Sequence, residues 1–165
     1  MNINAVIQPA GFVLPVSLQL FDMLMAEAGE IPASKHRVTA VTLNFWDPDY
    51  SVERGGYHPV EIRLVHQGDE WCLDYATDFG YVGNVYPELE KIIDISWSQG
   101  YVWHCRTGDL SPSEARALYT LWERNFLSYH ASGVYTTRVM WESSTEDNKA
   151  LPEAYLTGWN METQI

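Results

Sequence analysis

Between Asp47 and Glu61 the chain gathers the side chains best suited to chemistry: Asp47, Asp49, Ser51, Glu53, Arg54, His58 and Glu61, with Gly55 and Gly56 among them. Imidazole titrates near neutrality, so His58 with Glu53 or Glu61 would make an acid/base pair. Arg54 brings a fixed positive charge whose planar fork suits a carboxylate or a phosphate. The two glycines allow backbone amides to approach a ligand closely. A purely structural use of the same residues competes with this. Arg54 would then be tied to Glu53, Glu61 or Asp78, and the loop would be pinned over a sheet.

Oxygen side chains at alternate positions from Asp47 to Glu53 resemble the opening of a calcium loop. The pattern then breaks, because Val52 stands where the sharp turn needs glycine and His58 where the last carboxylate belongs. An Asx-turn loop explains the acidic residues without a metal. Five histidines and two cysteines show no zinc spacing. Neither a metal nor a cofactor is expected. Cys72 and His104 would meet as nucleophile and base only if two hairpins adjoined in register. Both cysteines are expected to be reduced and buried.

A second loop, from Asp78 to Tyr86, interleaves Phe79 and Tyr81 with Gly80 and Gly83. Aromatic side chains offer contact area at low rotamer cost. The face expected to recognise a ligand or partner therefore combines Tyr50, Arg54, Tyr57 and His58 with Phe79 and Tyr81. No catalytic residue is assigned.

These loops need elements to position them. Apolar residues at three- and four-residue steps predict a helix from about Val16 to Ala28, with Pro15 in its first turn and Gly29 as its stop. Val38 to Trp46 reads as a strand. Val60, Ile62 and Leu64 alternate with Glu61 and Arg63, and Trp71, Leu73 and Tyr75 alternate with Cys72 and Asp74 across a Gln67-Gly-Asp69 turn. That is a hairpin. A short helical turn is expected over Pro87 to Lys91. A second hairpin follows, with Ile93, Ile95 and Trp97 on one arm and Tyr101, Trp103 and Cys105 on the other. Ser111-Pro-Ser-Glu114 is a capping box with proline at the first helical position. The helix it opens buries Ala115, Leu118, Trp122, Asn125, Phe126 and Tyr129 and stops at Gly133. Val134 to Trp141 reads as the last strand.

Hairpins outnumber crossovers, so the expected fold is α+β: a mainly antiparallel sheet of five or six strands with two principal helices. It forms a single domain over residues 1–141. Residues 142–165 read as a polar linker and a tail carrying Tyr155 and Trp159, which docks on its own domain or, in a homodimer, on a neighbour. At 165 residues, 46% hydrophobic and 19% charged, the chain is long enough to bury a core unaided.

Ten Lys and Arg stand against 22 Asp and Glu, a net charge of −12. Binding to duplex nucleic acid needs a basic footprint, which is missing. The N-terminus lacks the basic start and unbroken apolar core of a signal peptide, and no apolar run approaches a membrane span. A cytoplasmic protein is expected. The acid is densest between residues 69 and 94, where seven carboxylates face Lys91 alone.

The run Asn44-Phe-Trp-Asp-Pro-Asp-Tyr-Ser-Val-Glu-Arg-Gly-Gly-Tyr-His-Pro-Val-Glu-Ile-Arg-Leu64 resembles the signature of a bacterial family of unknown function whose members are carried on mobile elements. Asp78-Phe-Gly-Tyr-Val-Gly83, Tyr86-Pro-Glu-Leu89 and Leu121-Trp-Glu-Arg-Asn-Phe126 resemble its later blocks, so the resemblance spans most of the chain. It implies bacterial origin and one domain, and it names no catalytic residue. The function expected is a non-enzymatic binding or accessory domain that takes a protein or small molecule. A small hydrolase-like enzyme using His58 is the alternative, and an acidic decoy for a nucleic-acid-binding protein is a third. A concave pocket where His58 and carboxylates with shifted pKa values converge would favour the enzyme, and a flat aromatic patch with an acidic rim would favour the interaction module.

Overall fold

The structure is a computed structural model, and it describes residues 12–144. The element order is α1 (Leu18–Ala28), β1 (Val38–Trp46), β2 (Val60–Gln67), β3 (Glu70–Val82), β4 (Glu88–Ser96), β5 (Tyr101–His104), β6 (Gly108–Asp109), α2 (Pro112–Ala131) and β7 (Thr136–Ser143). The strands form one sheet in the order β6-β5-β4-β3-β2-β1-β7. Every pairing is antiparallel. The sheet has seven strands where five or six are expected. The two-residue β6, held by Trp103 opposite Asp109 and His104 opposite Gly108, is too short to leave a sequence pattern.

Both helices lie on one face. Val41, Leu43 and Phe45 of β1, Val60, Ile62 and Leu64 of β2, and Ile95 and Val102 of β4 and β5 pack with Leu20 and Leu24 of α1 and with Ala115, Tyr119, Trp122 and Phe126 of α2 in one core. The helices are also joined through polar groups. Buried Glu123 accepts from the Tyr119 hydroxyl and from the Ser17 amide that opens α1. His130 meets Glu27 at 2.6 Å. The α1 cap is Ser17, whose hydroxyl accepts from the Leu20 amide at 3.1 Å, so the helix begins three residues after Pro15 rather than with it in the first turn. The capping box of α2 forms as expected, with Ser111 and Glu114 satisfying each other's amides.

The main departures from expectation lie in β3 and β4. The residues expected as a loop from Asp78 to Tyr86 continue β3 as far as Val82, and the helical turn expected at Pro87–Lys91 is the start of β4. A bulge lets Arg63 face Tyr75 while Leu64 faces Leu73, leaving Asp74 as the additional residue. Side-chain alternation therefore reverses at Asp74. Leu73 is in the core, whereas Tyr75 shares the outer face with Glu61 and Arg63, against the expectation that it follows Trp71 and Leu73. A second bulge, at Ile92, re-aligns Asp78 with Ile93 and Phe79 with Lys91. Cys72 is buried as expected, but Cys105 is exposed because β5 ends at His104. The last strand runs from Thr136 to Ser143, two residues past the expected end at Trp141. The tail with Tyr155 and Trp159, and its docking, lie outside the described residues. Among the described residues no helix is long and apolar enough to cross a membrane.

Candidate functional site

The segment between β1 and β2 is shaped by Asp47. Its carboxylate accepts from the Asp49 amide at 2.9 Å and from the Tyr57 amide at 3.1 Å, which folds the loop back on itself. Ser51 and Gly55 pair across the loop's tip. Gly56 is required here: its φ is +131°, and a Cβ would stand 2.8 Å from Asp47 Oδ2 and 3.1 Å from the Tyr50 Cα. Closure of this loop delivers Tyr57 and His58 to the helix-covered face of the sheet.

His58 lies on the continuation of β3. Its Nδ1 is 2.7 Å from Asp78 Oδ1, and its ring passes against Gly80, where a Cβ would come within 3.2 Å. The hydrogen bond and the charge of Asp78 raise the His58 pKa above 6.5, against the opposing effect of burial. The carboxylate that orients His58 is thus Asp78, twenty residues away, and not Glu53 or Glu61 as expected. Glu61 points to the other face and accepts from the Tyr75 hydroxyl at 2.7 Å.

A cavity of about 340 Å³ opens beside this pair, between α2 and the sheet. Val60, Ile93, Leu118, Leu121, Trp122 and Phe126 give it apolar walls. Trp122 and Phe126 are stacked at 5.3 Å with their planes 6° apart. Tyr57, His58, Asn125, Tyr129 and Tyr135 bring polar heads to it. Tyr57 and Tyr129 pack ring to ring at 4.6 Å across the space between loop and helix. Burial, followed by the charge of Asp78, pushes the Tyr135 hydroxyl well above its ordinary pKa, so it stays protonated. The volume is at the low end of small-molecule sites.

The six residues expected to form a recognition face are only partly assembled. Tyr50, His58 and Tyr81 form a run of rings, with centroids 5.6 Å and 5.2 Å apart. Tyr57 lines the cavity with His58. Arg54 sits at the exposed loop tip, and no ion pair with Glu53, Glu61 or Asp78 restrains it. Phe79 shares the outer face with Tyr75 and Thr77 and so lies away from the cavity, because the bulge at Asp74 reverses the alternation of β3. The residues that sequence reasoning leaves out are Asp78, Asn125, Tyr129 and Tyr135. Asn125 and Tyr129 belong to the stripe expected to be buried by α2, and they line the cavity instead of closing the core.

The outer face carries a second concavity of about 420 Å³, lined by Glu61, Asp74, Tyr75, Thr77, Phe79, Lys91, Asp94, Ser96, Gln99 and Tyr101. Its charged groups are largely engaged with one another. Arg63 joins Asp74 and Glu142 at 2.6 Å and 2.8 Å. Asp94 accepts from Thr77, Lys91 and Tyr101. Burial and Asp94 push the Tyr101 hydroxyl up to about 12. This is a closed polar network. Among the described residues no group of three or more His, Cys, Asp or Glu is placed to hold a metal ion.

The profile of a family described as "Protein of unknown function (DUF2787)" matches residues 18–140. No curated protein matches the chain. Two solved structures, both from Vibrio cholerae, are similar. The hypothetical protein VC0508 from the VSP-II pathogenicity island is 35% identical, with a TM-score of 0.67 over 77% of this chain and 95% of that one. The conserved hypothetical protein VC1805 from pathogenicity island VPI-2 is 36% identical, with a TM-score of 0.64 over 78% of this chain and 97% of that one. VC1805 is described as sharing structural homology with the human P32 protein.

Proposed function

The chain belongs to the DUF2787 family, whose members are proteins of unknown function, and we propose that it acts as a small-molecule-binding accessory domain. The observation that carries this reading is the cavity beside His58 and Asp78, with apolar walls and a handful of convergent polar heads. Tyr57 and His58 line it, Tyr50 and Tyr81 continue the run of rings outward from His58, and Arg54 stands at the tip of the same loop. The pathogenicity-island origin of the similar structures supports a bacterial protein carried on mobile elements. The acidic charge supports a partner other than nucleic acid. Of the seven carboxylates between residues 69 and 94, Asp74, Asp78 and Asp94 are already paired with Arg63, His58 and Lys91, which leaves less free acid for the decoy reading.

A thermal-shift screen of small fragments, run in parallel on the wild type and on Leu121→Trp, tests the proposal. Leu121 lines the cavity and is 46% exposed, so a larger side chain there obstructs the space without entering the core. Fragments that raise the Tm of the wild type and not that of Leu121→Trp are expected. A library that shifts neither, or both equally, would remove the cavity as the site.

The enzymatic alternative also has a specific observation in its favour. With Nδ1 held by Asp78, His58 Nε2 bonds to no other described residue, which is the arrangement of a general base. Among the described residues no serine, threonine, cysteine or lysine lines the cavity, and activation of water by His58 is the simplest chemistry the arrangement supports. Bound fragments recovered unchanged after long incubation favour binding. Conversion that disappears in His58→Gln favours catalysis.

A further inference from the structure

The polar heads around the cavity are short of partners. The hydroxyls of Tyr57, Tyr129 and Tyr135, the Asn125 amide and the second nitrogen of His58 hydrogen-bond to no other described residue. In the outer-face concavity, by contrast, the tyrosines and carboxylates are already joined to each other. A ligand brought to the outer face would have to break bonds. A ligand brought to the cavity would complete them, which is the more favourable exchange.

Charge narrows the choice further. Asp78 is engaged by His58, and nearby Asp47 by the amides of Asp49 and Tyr57. His58 and Asp78 offset each other's charge as a pair, and among the described residues no other charged side chain lines the cavity to balance a charged head. A charged head would therefore lose its hydration without a counter-ion. Phenol and carboxamide groups each donate and accept, so they match an edge that does both. The parallel Trp122 and Phe126 rings, with Tyr129 beside them, favour a flat body.

We infer that the ligand is an uncharged planar ring whose edge carries a carbonyl next to an N–H, the chemistry of a cyclic amide. The inference rests on the cavity being the binding site, and it assigns Asn125 and Tyr135 to the polar edge of the ligand. Four probes of similar ring size separate the alternatives: 2-quinolone, quinoline-2-carboxylate, 2-naphthylmethylammonium and naphthalene. Each is titrated by NMR against the full chain and against Leu121→Trp, Asn125→Leu and Tyr135→Phe. The expected result is that 2-quinolone binds at least about tenfold more tightly than the other three. Asn125→Leu and Tyr135→Phe weaken it severalfold and leave naphthalene unchanged, and Leu121→Trp abolishes it. A charged probe binding most tightly, naphthalene binding as well as 2-quinolone, or no binding of 2-quinolone overturns the inference. If a tighter charged probe is still lost in Leu121→Trp, the cavity stands as the site and only the ligand class fails. If probes bind and Leu121→Trp weakens none of them, both fail.

Discussion

The Tyr50 hydroxyl accepts a hydrogen bond from the Tyr81 amide at 3.1 Å, standing in for a strand that is not there. β2 starts at Val60, opposite Asp78, while β3 continues to Val82. The Phe79 amide still finds the Pro59 carbonyl, but the Tyr81 amide has passed the end of β2. A side chain from the recognition loop thus closes a sheet edge, and the loop and β3 are positioned together.

Tyr50→Phe keeps the ring packing on His58 and Tyr81 and removes only this bond. It should cost about 1 kcal/mol in urea denaturation, the usual net worth of one hydrogen bond. The Tyr81 amide should exchange its hydrogen faster. An unchanged exchange rate would mean that the hydroxyl does not protect that edge.

The His58–Asp78 pair predicts a pH dependence of defined sign. The folded-state pKa of His58 is raised above 6.5 by Asp78. Its contribution to stability is therefore complete below about pH 6.5 and is lost as pH rises through the folded value. Relative to Asp78→Asn, the wild type should be most favoured at mildly acidic pH, and the difference should shrink towards pH 8. The His58 Cε1 proton, followed by NMR, should titrate lower in Asp78→Asn. A midpoint that does not move would show that Asp78 does not set it.

The two arginines near the sheet should behave differently. Arg54 is exposed with no ion pair, so Arg54→Ala should change stability by less than about 0.5 kcal/mol. Arg63 joins β2 to β3 and β7 through Asp74 and Glu142. Its side chain is 25% exposed, so Arg63→Ala should cost roughly 2 kcal/mol, between the values for surface and buried pairs. Equal costs by chemical denaturation would contradict this assignment.

Gly80→Ala tests the close approach of His58 to β3. The added methyl would stand 2.9 Å from Ile92 Cγ1 and 3.2 Å from the His58 ring. Overpacking of this kind should destabilise the fold by about 1–2 kcal/mol. It should also lower the His58 pKa by pushing the ring away from Asp78. A variant as stable as the wild type, with an unshifted His58, would show that the ring has room to move.

Much of the architecture is visible in the sequence because it is local. The capping box at Ser111 and the alternation through Val60, Ile62 and Leu64 need only neighbouring residues to be read. The errors fall where local period and tertiary structure disagree. Asp74 interrupts the alternation of β3 with a bulge, which sends Tyr75 and then Phe79 to the outer face, and Ile92 is a separate interruption in β4. Gly80 and Gly83 punctuate the sequence like a loop, yet Gly80 is within a strand because the His58 ring and Ile92 crowd it. The histidine at the centre of the site is legible from its surroundings. Its partner Asp78, and Asn125 and Tyr129 from α2, are brought to it only by the folded sheet and helix, and no spacing encodes that.

The position of β7 has a consequence for the chain as it is synthesised. Each strand from β2 to β6 pairs with the one made just before it, so those ladders can form as the residues emerge. β7 instead pairs with β1, roughly 100 residues upstream, from Val38 opposite Ser143 to Trp46 opposite Thr136. Until the ribosome has passed Ser143, the nine residues of β1 present an unpaired and largely apolar edge to other chains. Ending the chain at Tyr135 would make that exposure permanent, so such a truncation should self-associate even though the cavity-lining residues from Gly56 to Tyr135 are all still encoded.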